Sequence, residues 1–352
     1  MPLATGDPAP WFKAPTASSP EFLFDTAAGR YVLMAFLPED PDAVGRALKA
    51  LAARQALFDE AHVAALVVFR SAHAPAGLRD LRGIRWLLDP EGAVAARFEA
   101  DQPHWLLLDP TLRSLGWTPL EPAEAMLDRV ARLGPPAQHA GAPQNAPALL
   151  VPRVFEPELC RALIDLHEGA GGHFTGVMRD SGDRTVYVMD ELKKRRDVLV
   201  RDPELLATLR DRLERRLFPM IERALGSAVT RIERFLVSCY DVDDGGVFHP
   251  HRDNTTFGTA HRKFACSINL NDAFEGGDLR FPEFGLATYR APVGGAVVFA
   301  CGMMHEATRV TSGRRYAFLP FLYDEAGAAV LDAYRTRTGQ GDASPAPGGV
   351  PI

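Results

Sequence analysis

The sequence predicts two domains, an α/β domain followed by a mainly β domain with packing helices. At 352 residues, about two domains are expected. Up to about residue 133, continuous apolar runs alternate with stretches of helical spacing, as in an α/β layer fold. From Arg231 onward, short runs of period two are separated by glycine turns, which is typical of a sandwich or barrel.

The boundaries follow from composition. Residues 134–147 are rich in Gly, Pro and Ala, as inter-domain linkers are. We therefore assign residues 1–133 to the first domain and 148–335 to the second. The remaining residues, 336–352, are rich in Gly, Pro, Ser and Ala and are predicted to be a disordered tail.

Strands and helices alternate in the first domain. Apolar runs predict buried strands at 31–37 and 64–69, the first covered on both faces. Two further strands, at 86–88 and 105–108, are each predicted to run into a turn. Between them, residues 43–60 have helical spacing. A closing helix is predicted over residues 122–133.

The second domain opens with a short strand at 148–152 and a helix that has Pro157 in its first turn. Asp202 is the predicted N-cap of a longer helix. Between these helices lie four consecutive basic residues, 193–196. They could contact an acidic substrate, but a solvated charged stretch is favoured.

Period two assigns faces to the later strands. Phe264, Cys266, Ile268 and Leu270 are predicted to pack on the helices, and Ser267 and Asn269 to line a cavity. In the last strand, the side chains of Arg314 and Arg315 are predicted to lie on opposite faces, with Arg314 facing solvent.

Three side chains in this region form a candidate metal site. In a strand, His251 and Asp253 point to the same face, and His305 lies far enough along the chain to belong to another strand. Two imidazoles and one carboxylate are the donor set of non-haem Fe(II) oxygenases. His249 shares the face of His251 and is the rival ligand. Arg315, ten residues after His305, can grip a carboxylate with two charge-assisted hydrogen bonds.

The second domain resembles the prolyl 4-hydroxylase-like branch of the 2-oxoglutarate/Fe(II) oxygenases over residues 148–325. The matching residues are Tyr240, Gly246, Phe248, His251, Asp253, Asn269-Leu270-Asn271, Glu275 to Leu279, Pro292, Gly294-Gly295, Val297 to Phe299, His305-Glu306, Val310-Thr311, Gly313 and Arg315-Tyr316.

This resemblance implies a double-stranded β-helix, or jelly roll, with iron on His251, Asp253 and His305. It implies Arg315 on the distal carboxylate of 2-oxoglutarate, Tyr240 as a second contact and Asn269 at the same site. Some prolyl hydroxylases carry a tyrosine where Asn269 stands, so prolyl specificity is left open.

The implied activity is a dioxygenase that hydroxylates an unactivated C–H bond. The cofactors would be Fe(II), 2-oxoglutarate as cosubstrate and O2, with ascorbate as a candidate reductant. The substrate would be a peptide or protein side chain or an amino-acid-like small molecule. The alternative is a non-enzymatic redox or partner-binding protein with a vestigial iron site.

The first domain resembles the peroxiredoxin branch of the thioredoxin fold. The resemblance rests on Gly6-Asp7-Pro8-Ala9-Pro10, residues 31–38 and the Leu88-Asp89-Pro90-Glu91-Gly92 turn. That family places its attacking cysteine just after the Pro38 region, but the chain has no cysteine before Cys160. Peroxidase chemistry needs a thiolate, so a non-catalytic domain is predicted. Its role is structural, substrate-presenting or dimer-forming, and the sequence leaves all three open.

Charge and cysteine usage limit partners and location. The formal net charge of −6 argues against nucleic acid or an anionic membrane surface as the main partner. No apolar run is long enough to span a bilayer, and the N-terminus does not have the pattern of a signal peptide. Four cysteines without Cys-x-x-Cys spacing are predicted to be reduced core residues in a cytoplasmic protein.

Overall fold

A computed structural model describes residues 2–73 and 78–339 and divides them into two compact units. The first unit takes in the described residues up to Ala146 together with Pro282–Ala287. The second unit contains Pro147–Phe281 and the described residues from Thr288 onward.

The first unit is a mixed α/β unit. Its elements are β1 (Lys13–Ala14), β2 (Phe22–Leu23), β3 (Tyr31–Phe36), α1 (Pro41–Ala53), β4 (Val63–Phe69), β5 (Ile84–Leu88), α2 (Ala93–Arg97), β6 (His104–Leu108), β7 (Ser114–Pro119) and α3 (Glu124–Ala131). Short 3-10 helices lie at Phe24–Ala27, Gln55–Leu57, Pro136–Gln138 and Pro282–Phe284.

A five-stranded sheet in the order β5-β4-β3-β6-β7 forms the centre of this unit. β3, β4 and β5 are parallel, whereas β6 and β7 are antiparallel to their neighbours. All residues of β3, β4 and β6 are buried, which agrees with their continuous apolar sequences.

Two boundaries differ from the sequence prediction. The helix predicted at 43–60 begins at Pro41, because the Asp40 side chain accepts hydrogen bonds from the first free amides and caps it. It ends at Ala53, and the Asp59 carboxylate then accepts from the amides of Ala61 and His62 in a turn that leads into β4. The edge strand β7 is absent from the prediction, because Gly116 and Pro119 interrupt its pattern.

The second unit is mainly β. Its elements are β8 (Leu149–Val151), α4 (Pro157–Ala170), β9 (His173–Phe174), β10 (Val177–Ser181), β11 (Arg184–Val188), β12 (Lys193–Lys194), β13 (Arg196–Leu199), α5 (Pro203–Arg212), a π-helical turn (Leu213–Leu217), α6 (Phe218–Leu225), β14 (Arg231–Ile232), β15 (Leu236–Asp241), β16 (Val247–His251), β17 (Phe264–Asn269), β18 (Phe274–Gly276), β19 (Leu279–Arg280), β20 (Thr288–Tyr289), β21 (Ala296–Ala300), β22 (His305–Ala307), β23 (Val310–Phe318), β24 (Phe321–Tyr323) and α7 (Glu325–Thr338).

Two antiparallel sheets dominate this unit and are consistent with a jelly roll. The larger has the order β14-β24-β17-β23-β15-β13-β9, with β21, β8 and β18 also paired to it. The smaller has the order β12-β16-β22-β19-β20. Apolar side chains from α4, α5 and α6 and from one face of the larger sheet form a single core, and Phe264, Cys266, Ile268 and Leu270 are part of it. Ser267 and Asn269 therefore point away from the helices.

The predicted tail starts too early. The last helix continues through Thr336 to Thr338, where Gly339 ends it in a left-handed conformation. Tyr334 and Thr338 are buried, so this turn packs on the unit. Residues 340–352 lie outside the part of the chain that the structure describes.

Candidate metal centre

The smaller sheet brings the two histidines together. His251 at the end of β16 pairs directly with His305 at the start of β22. Asp253 lies two residues beyond β16, and its amide donates to the carbonyl of Cys301 (3.0 Å). One Asp253 oxygen lies 3.2 Å from His305 Nε2, and the other lies 3.6 Å from His251 Nε2. One donor atom from each residue lies within 4.8 Å of the others, so the three side chains can share one cation.

Backbone carbonyls orient both imidazoles. His251 Nδ1 lies 2.7 Å from the carbonyl of His249, and His305 Nδ1 lies 3.0 Å from the carbonyl of Met303. Because a carbonyl can only accept, each Nδ1 carries the hydrogen and each Nε2 has a lone pair. This tautomer leaves both Nε2 atoms ready to bind a metal ion beside Asp253. The side chain of His249 is exposed, so the rival ligand lies outside this cluster.

The chemistry of the donors suits a divalent metal. Burial lowers the pKa of His251, and its proximity to His305 lowers it further, so the neutral ligand form is favoured. Burial alone would raise the pKa of Asp253, but its contacts with His305 and His251 hold it well below its usual value. Two neutral imidazoles and one carboxylate form the donor set of non-haem Fe(II) sites.

Aromatic rings surround the imidazoles. Phe248 stacks on His251 with ring centroids 3.5 Å apart, and Phe299 lies 4.5 Å from His305. Phe281 lies 6.5 Å from His305 on a further side. These rings limit the access of water and fix the orientation of the imidazoles.

A buried ion pair holds the backbone of Asp253. Arg262 donates to the Asp253 carbonyl (3.1 Å) and makes two hydrogen bonds of 2.6 Å to Glu233. Glu233 also binds His261 Nε2 (3.0 Å). His261 is therefore buried beside this ion pair.

Replacing Arg262 with lysine should weaken Fe(II) binding about tenfold. Lysine keeps the charge beside Glu233, but one ammonium cannot reproduce the fork that reaches both Glu233 and the Asp253 carbonyl. Anaerobic Fe(II) titration measures the effect. Arg231→Lys is the matched control, because Arg231 makes a two-pronged pair with Glu325 at the surface. An equal loss in both variants would contradict a specific role for Arg262.

Arg315 is buried in the larger sheet without a carboxylate partner. Its Nη2 donates to Ser267 Oγ (2.7 Å) and Asn269 Oδ1 (3.2 Å). No ion pair to Arg315 is found within residues 2–73 and 78–339. Burial lowers its pKa, but arginine still remains protonated. A buried guanidinium whose hydrogen-bond partners, Ser267 and Asn269, are neutral is suited to an anionic ligand. Arg314 points outward and pairs with Asp241 (2.7 Å), as predicted.

Gly277 makes room for this guanidinium. It has a φ of +69°, which favours glycine, and an added Cβ would lie 3.1 Å from Arg315 Cδ and 2.9 Å from a methyl carbon of Val310. A side chain here would press on the Arg315 stem. Tyr240 is the cross-strand partner of Arg315, and the Arg315 guanidinium carbon lies 5.3 Å from its ring centroid.

The sequence favoured a solvated charged stretch at residues 193–196. This interpretation is wrong for two of the four residues, which are buried. Lys193 and Arg195 are 8% and 4% exposed, whereas Lys194 and Arg196 are only partly buried. Asp197 is buried with them and bonds to Arg195 by two contacts of 2.7 and 2.8 Å. The signal in the sequence was the period-two pattern Lys193, Arg195, Asp197, which places opposite charges on one face.

Lys193 should make the stability of the protein depend on pH. Burial, with the nearby charge of Arg195, lowers its pKa from 10.5 to about 7, although Asp197 opposes the shift. Between these pH values the unfolded chain binds more protons, so the free energy of unfolding rises with pH. From pH 7 to pH 9, the wild type should gain about 2 kcal/mol relative to Lys193→Met. Denaturant unfolding at both pH values checks this result.

The matched control is Lys194→Met, because Lys194 lies at the partly exposed neighbouring position beside Glu191. Its stability should follow the wild type across the same pH range. If Lys193→Met and the wild type changed in parallel with pH, the shifted pKa of Lys193 would be contradicted.

The four cysteines are free and buried. Burial raises the pKa of both Cys160 and Cys239 to about 11, so they are protonated near neutral pH. This agrees with their prediction as reduced core residues. Among the residues described, no helix is long and apolar enough to cross a bilayer.

The segment that contains this centre matches a known family model. Residues 235–323, which include His251, Asp253, His305 and Arg315, match the family model described as the 2OG-Fe(II) oxygenase superfamily. This match supports an oxygenase or hydroxylase enzyme. No curated protein sequence matches the chain.

Solved prolyl hydroxylase structures are similar to about half of the chain. One is a Trichoplax adhaerens prolyl hydroxylase in complex with a hypoxia inducible factor peptide fragment (16% identity, 53% of this chain and 87% of that chain, TM-score 0.42). Another is a collagen prolyl hydroxylase of Paramecium bursaria Chlorella virus-1 with 2OG (13%, 50% and 94%, 0.38). A third is a Pseudomonas putida prolyl-4-hydroxylase (15%, 51% and 93%, 0.37).

Proposed function

We propose that the protein is a 2-oxoglutarate-dependent Fe(II) dioxygenase that hydroxylates an unactivated C–H bond. The observation that carries the proposal is the coexistence of two features in one domain. One is the group of two imidazoles and a carboxylate on His251, Asp253 and His305. The other is the buried Arg315, whose hydrogen-bond partners within residues 2–73 and 78–339 are neutral.

His251, Asp253 and His305 would hold Fe(II) and leave further coordination positions open. Arg315 would bind the distal carboxylate of 2-oxoglutarate, with Tyr240 and Asn269 beside it. When both are bound, oxidative decarboxylation of 2-oxoglutarate by O2 yields succinate and CO2 and supplies the oxidant for substrate hydroxylation.

The protein's own contribution is orientation and protection. The carbonyls of His249 and Met303 hold the imidazole tautomers, and the rings of Phe248 and Phe299 exclude water. Arg315 is bound to Ser267 and Asn269, so its guanidinium is already oriented before a ligand arrives. Pre-orientation lowers the entropy that binding must offset.

For the substrate we propose a peptide or protein side chain. Apolar side chains are exposed on segments next to the metal ligands: Met189 is 59% exposed, Leu192 42% and Phe257 44%. The Leu192 carbonyl accepts from the amide of His249, and Phe257 follows Asp253 closely in sequence. Exposed apolar groups at this place suit a macromolecular substrate better than a small polar one. An amino-acid-like small molecule is the alternative.

For the first unit we propose a thioredoxin-like domain without thiol chemistry. It is supported by a five-stranded mixed sheet and by the absence of cysteine before Cys160 in the sequence. Hydrogen peroxide supplied with a thiol reductant should therefore give no turnover. Peroxide consumption above a buffer control would contradict this proposal.

The oxygenase proposal is tested by anaerobic titration with Fe(II) and then 2-oxoglutarate, followed by admission of air. Saturable binding of one equivalent of each and release of succinate are expected. A panel of peptides and amino acids then identifies the substrate by a mass increase of one oxygen atom. Failure to bind Fe(II) would contradict the enzyme and favour the alternative of a binding protein with a vestigial site.

A further inference from the structure

The phenol of Tyr240 is fixed by a buried arginine. Arg195 Nη1 lies 3.3 Å from Tyr240 Oη, and the Arg195 guanidinium carbon lies 5.7 Å from the Tyr240 ring centroid. An arginine only donates, so the phenol oxygen accepts and its own hydrogen must point elsewhere. Within the part of the chain that the structure describes, no acceptor lies within hydrogen-bond distance of that hydrogen.

Arg195 itself has little freedom to move. Its Nε and Nη2 donate to the two oxygens of Asp197 (2.7 and 2.8 Å). Asp197 in turn accepts from Ser238 Oγ (2.6 Å) and from Thr175 Oγ1. All four side chains are buried, and none is more than 6% exposed. The guanidinium is therefore held in one geometry by a neutralising carboxylate, rather than being available as an anion site.

Tyr240 lies between two cations with different surroundings. Arg195 is neutralised by Asp197, whereas the hydrogen-bond partners of Arg315 among the described residues are the neutral side chains of Ser267 and Asn269. Both guanidiniums lie within 6 Å of the Tyr240 ring centroid. The Tyr240 side chain, with its phenol hydroxyl, and the Arg315 guanidinium are thus neighbouring hydrogen-bond donors.

We propose that Arg195 is a positioning residue for cosubstrate binding. By donating to Tyr240 Oη, it directs the phenol hydrogen toward the distal carboxylate that Arg315 binds. This inference rests on the proposed use of 2-oxoglutarate. It adds to that function a buried series of hydrogen bonds from Asp197 through Arg195 to Tyr240.

The test measures the dissociation constant of 2-oxoglutarate for the full chain loaded with Fe(II), without oxygen. Arg195→Lys keeps the charge beside Asp197 but loses the fork that reaches Tyr240. Tyr240→Phe removes the hydroxyl alone. Each should weaken binding about tenfold. The double variant should be no weaker than the weaker-binding single variant, because both changes remove the same hydrogen bond.

Two further measurements separate positioning from a general structural role. Fe(II) affinity should stay within about twofold in Arg195→Lys, although Arg195 also lies 5.9 Å from the Phe248 ring that stacks on His251. Arg196→Lys is the matched control, because Arg196 is the outward neighbour and makes a two-pronged pair with Asp244. Its affinity for 2-oxoglutarate should equal that of the wild type.

If Arg195→Lys does not fold, Ser238→Ala provides a second route. It removes one hydrogen bond to Asp197 without removing a charge, and it should weaken 2-oxoglutarate binding about threefold. In the Tyr240→Phe background the same substitution should have no effect on 2-oxoglutarate binding. If the wild type binds 2-oxoglutarate and these variants bind it equally well, the positioning role of Arg195 is overturned, but the proposed function is not. Fully multiplicative losses in the double variant would also overturn that role. A wild type that fails to bind 2-oxoglutarate would overturn the proposed function itself.

Discussion

Replacing His305 with alanine should abolish succinate formation and weaken Fe(II) binding by at least about 100-fold. The estimate is a lower limit, because even the loss of a group that only supports a metal ligand costs 10- to 100-fold. His305 Nε2 lies 3.2 Å from the Asp253 carboxylate, and the imidazole is 5% exposed. The substitution therefore removes one of three donors, and alanine has no atom that could replace it. Anaerobic Fe(II) titration and succinate release under air measure the two effects.

His249→Ala is the control for this experiment. His249 was the rival ligand on sequence grounds, but its side chain is exposed, and only its backbone carbonyl contacts His251. Alanine keeps that carbonyl, so Fe(II) affinity and succinate release should remain at the wild-type level. Full activity in His305→Ala, or its loss in His249→Ala, would show that the metal ligands are assigned wrongly. Circular dichroism of both variants shows whether the fold is retained.

Replacing Arg315 with methionine should weaken 2-oxoglutarate binding by about 100-fold or more while Fe(II) still binds. Removing one partner of a buried, hydrogen-bonded charge pair costs about 2–5 kcal/mol, which corresponds to about 30-fold to several thousand-fold in affinity. Methionine keeps most of the buried apolar stem but has no donor for a carboxylate. Ser267 and Asn269 would lose their contacts with Arg315 as well. Calorimetric titration of 2-oxoglutarate into the Fe(II)-loaded protein checks this result.

Arg314→Met is the matched control for Arg315→Met, since the two positions are adjacent but face opposite ways. Arg314 pairs with Asp241 at the surface, and its side chain is 54% exposed. An exposed ion pair contributes at most about 1 kcal/mol, so cosubstrate affinity should be unchanged. Equal affinity of wild type and Arg315→Met would remove this arginine from the cosubstrate site.

The two substitutions together separate the two halves of the site. His305→Ala should lose the metal and, with it, the chelated end of the cosubstrate. Arg315→Met should lose only the contact with the distal carboxylate of 2-oxoglutarate, so excess 2-oxoglutarate should restore part of the succinate release. No concentration of 2-oxoglutarate should rescue His305→Ala, because the missing side chain is an iron ligand and not a contact to the cosubstrate. This difference in rescue tests whether the two residues have separate roles.

The strand faces in the later part of the second unit were predictable, whereas β9 to β13 were not predicted. Period-two alternation in β17 placed Cys266 and Ile268 on the helices and Ser267 and Asn269 on the opposite face, and the structure has this arrangement. Alternation could be used because a one-residue shift would move every apolar side chain out of the core. Boundaries were less predictable, since α1 begins where Asp40 caps it and ends before a turn built on Asp59.

The basic stretch 193–196 shows the opposite case. Composition alone favoured a solvated run, but Lys193 and Arg195 are buried. Burial of two cations is costly unless carboxylates or hydrogen bonds compensate. Here Asp197, which directly follows the stretch, compensates them, while Ser238 of β15 binds Asp197 and Tyr240 of β15 binds Arg195. The alternation of Lys193, Arg195 and Asp197 is visible in the sequence, but the partners on β15 are not.

Local pattern in the sequence was enough to identify the candidate ligands His251, Asp253 and His305, the outward direction of Arg314 and the inward direction of Arg315. Those features depend on residue type, spacing and strand alternation, which are properties of short segments. The three-dimensional fold alone decided that His251 pairs with His305, that His249 is exposed and that Arg195 contacts Tyr240. These contacts join segments far apart in the chain, and their register is determined by the hydrogen bonding of whole sheets.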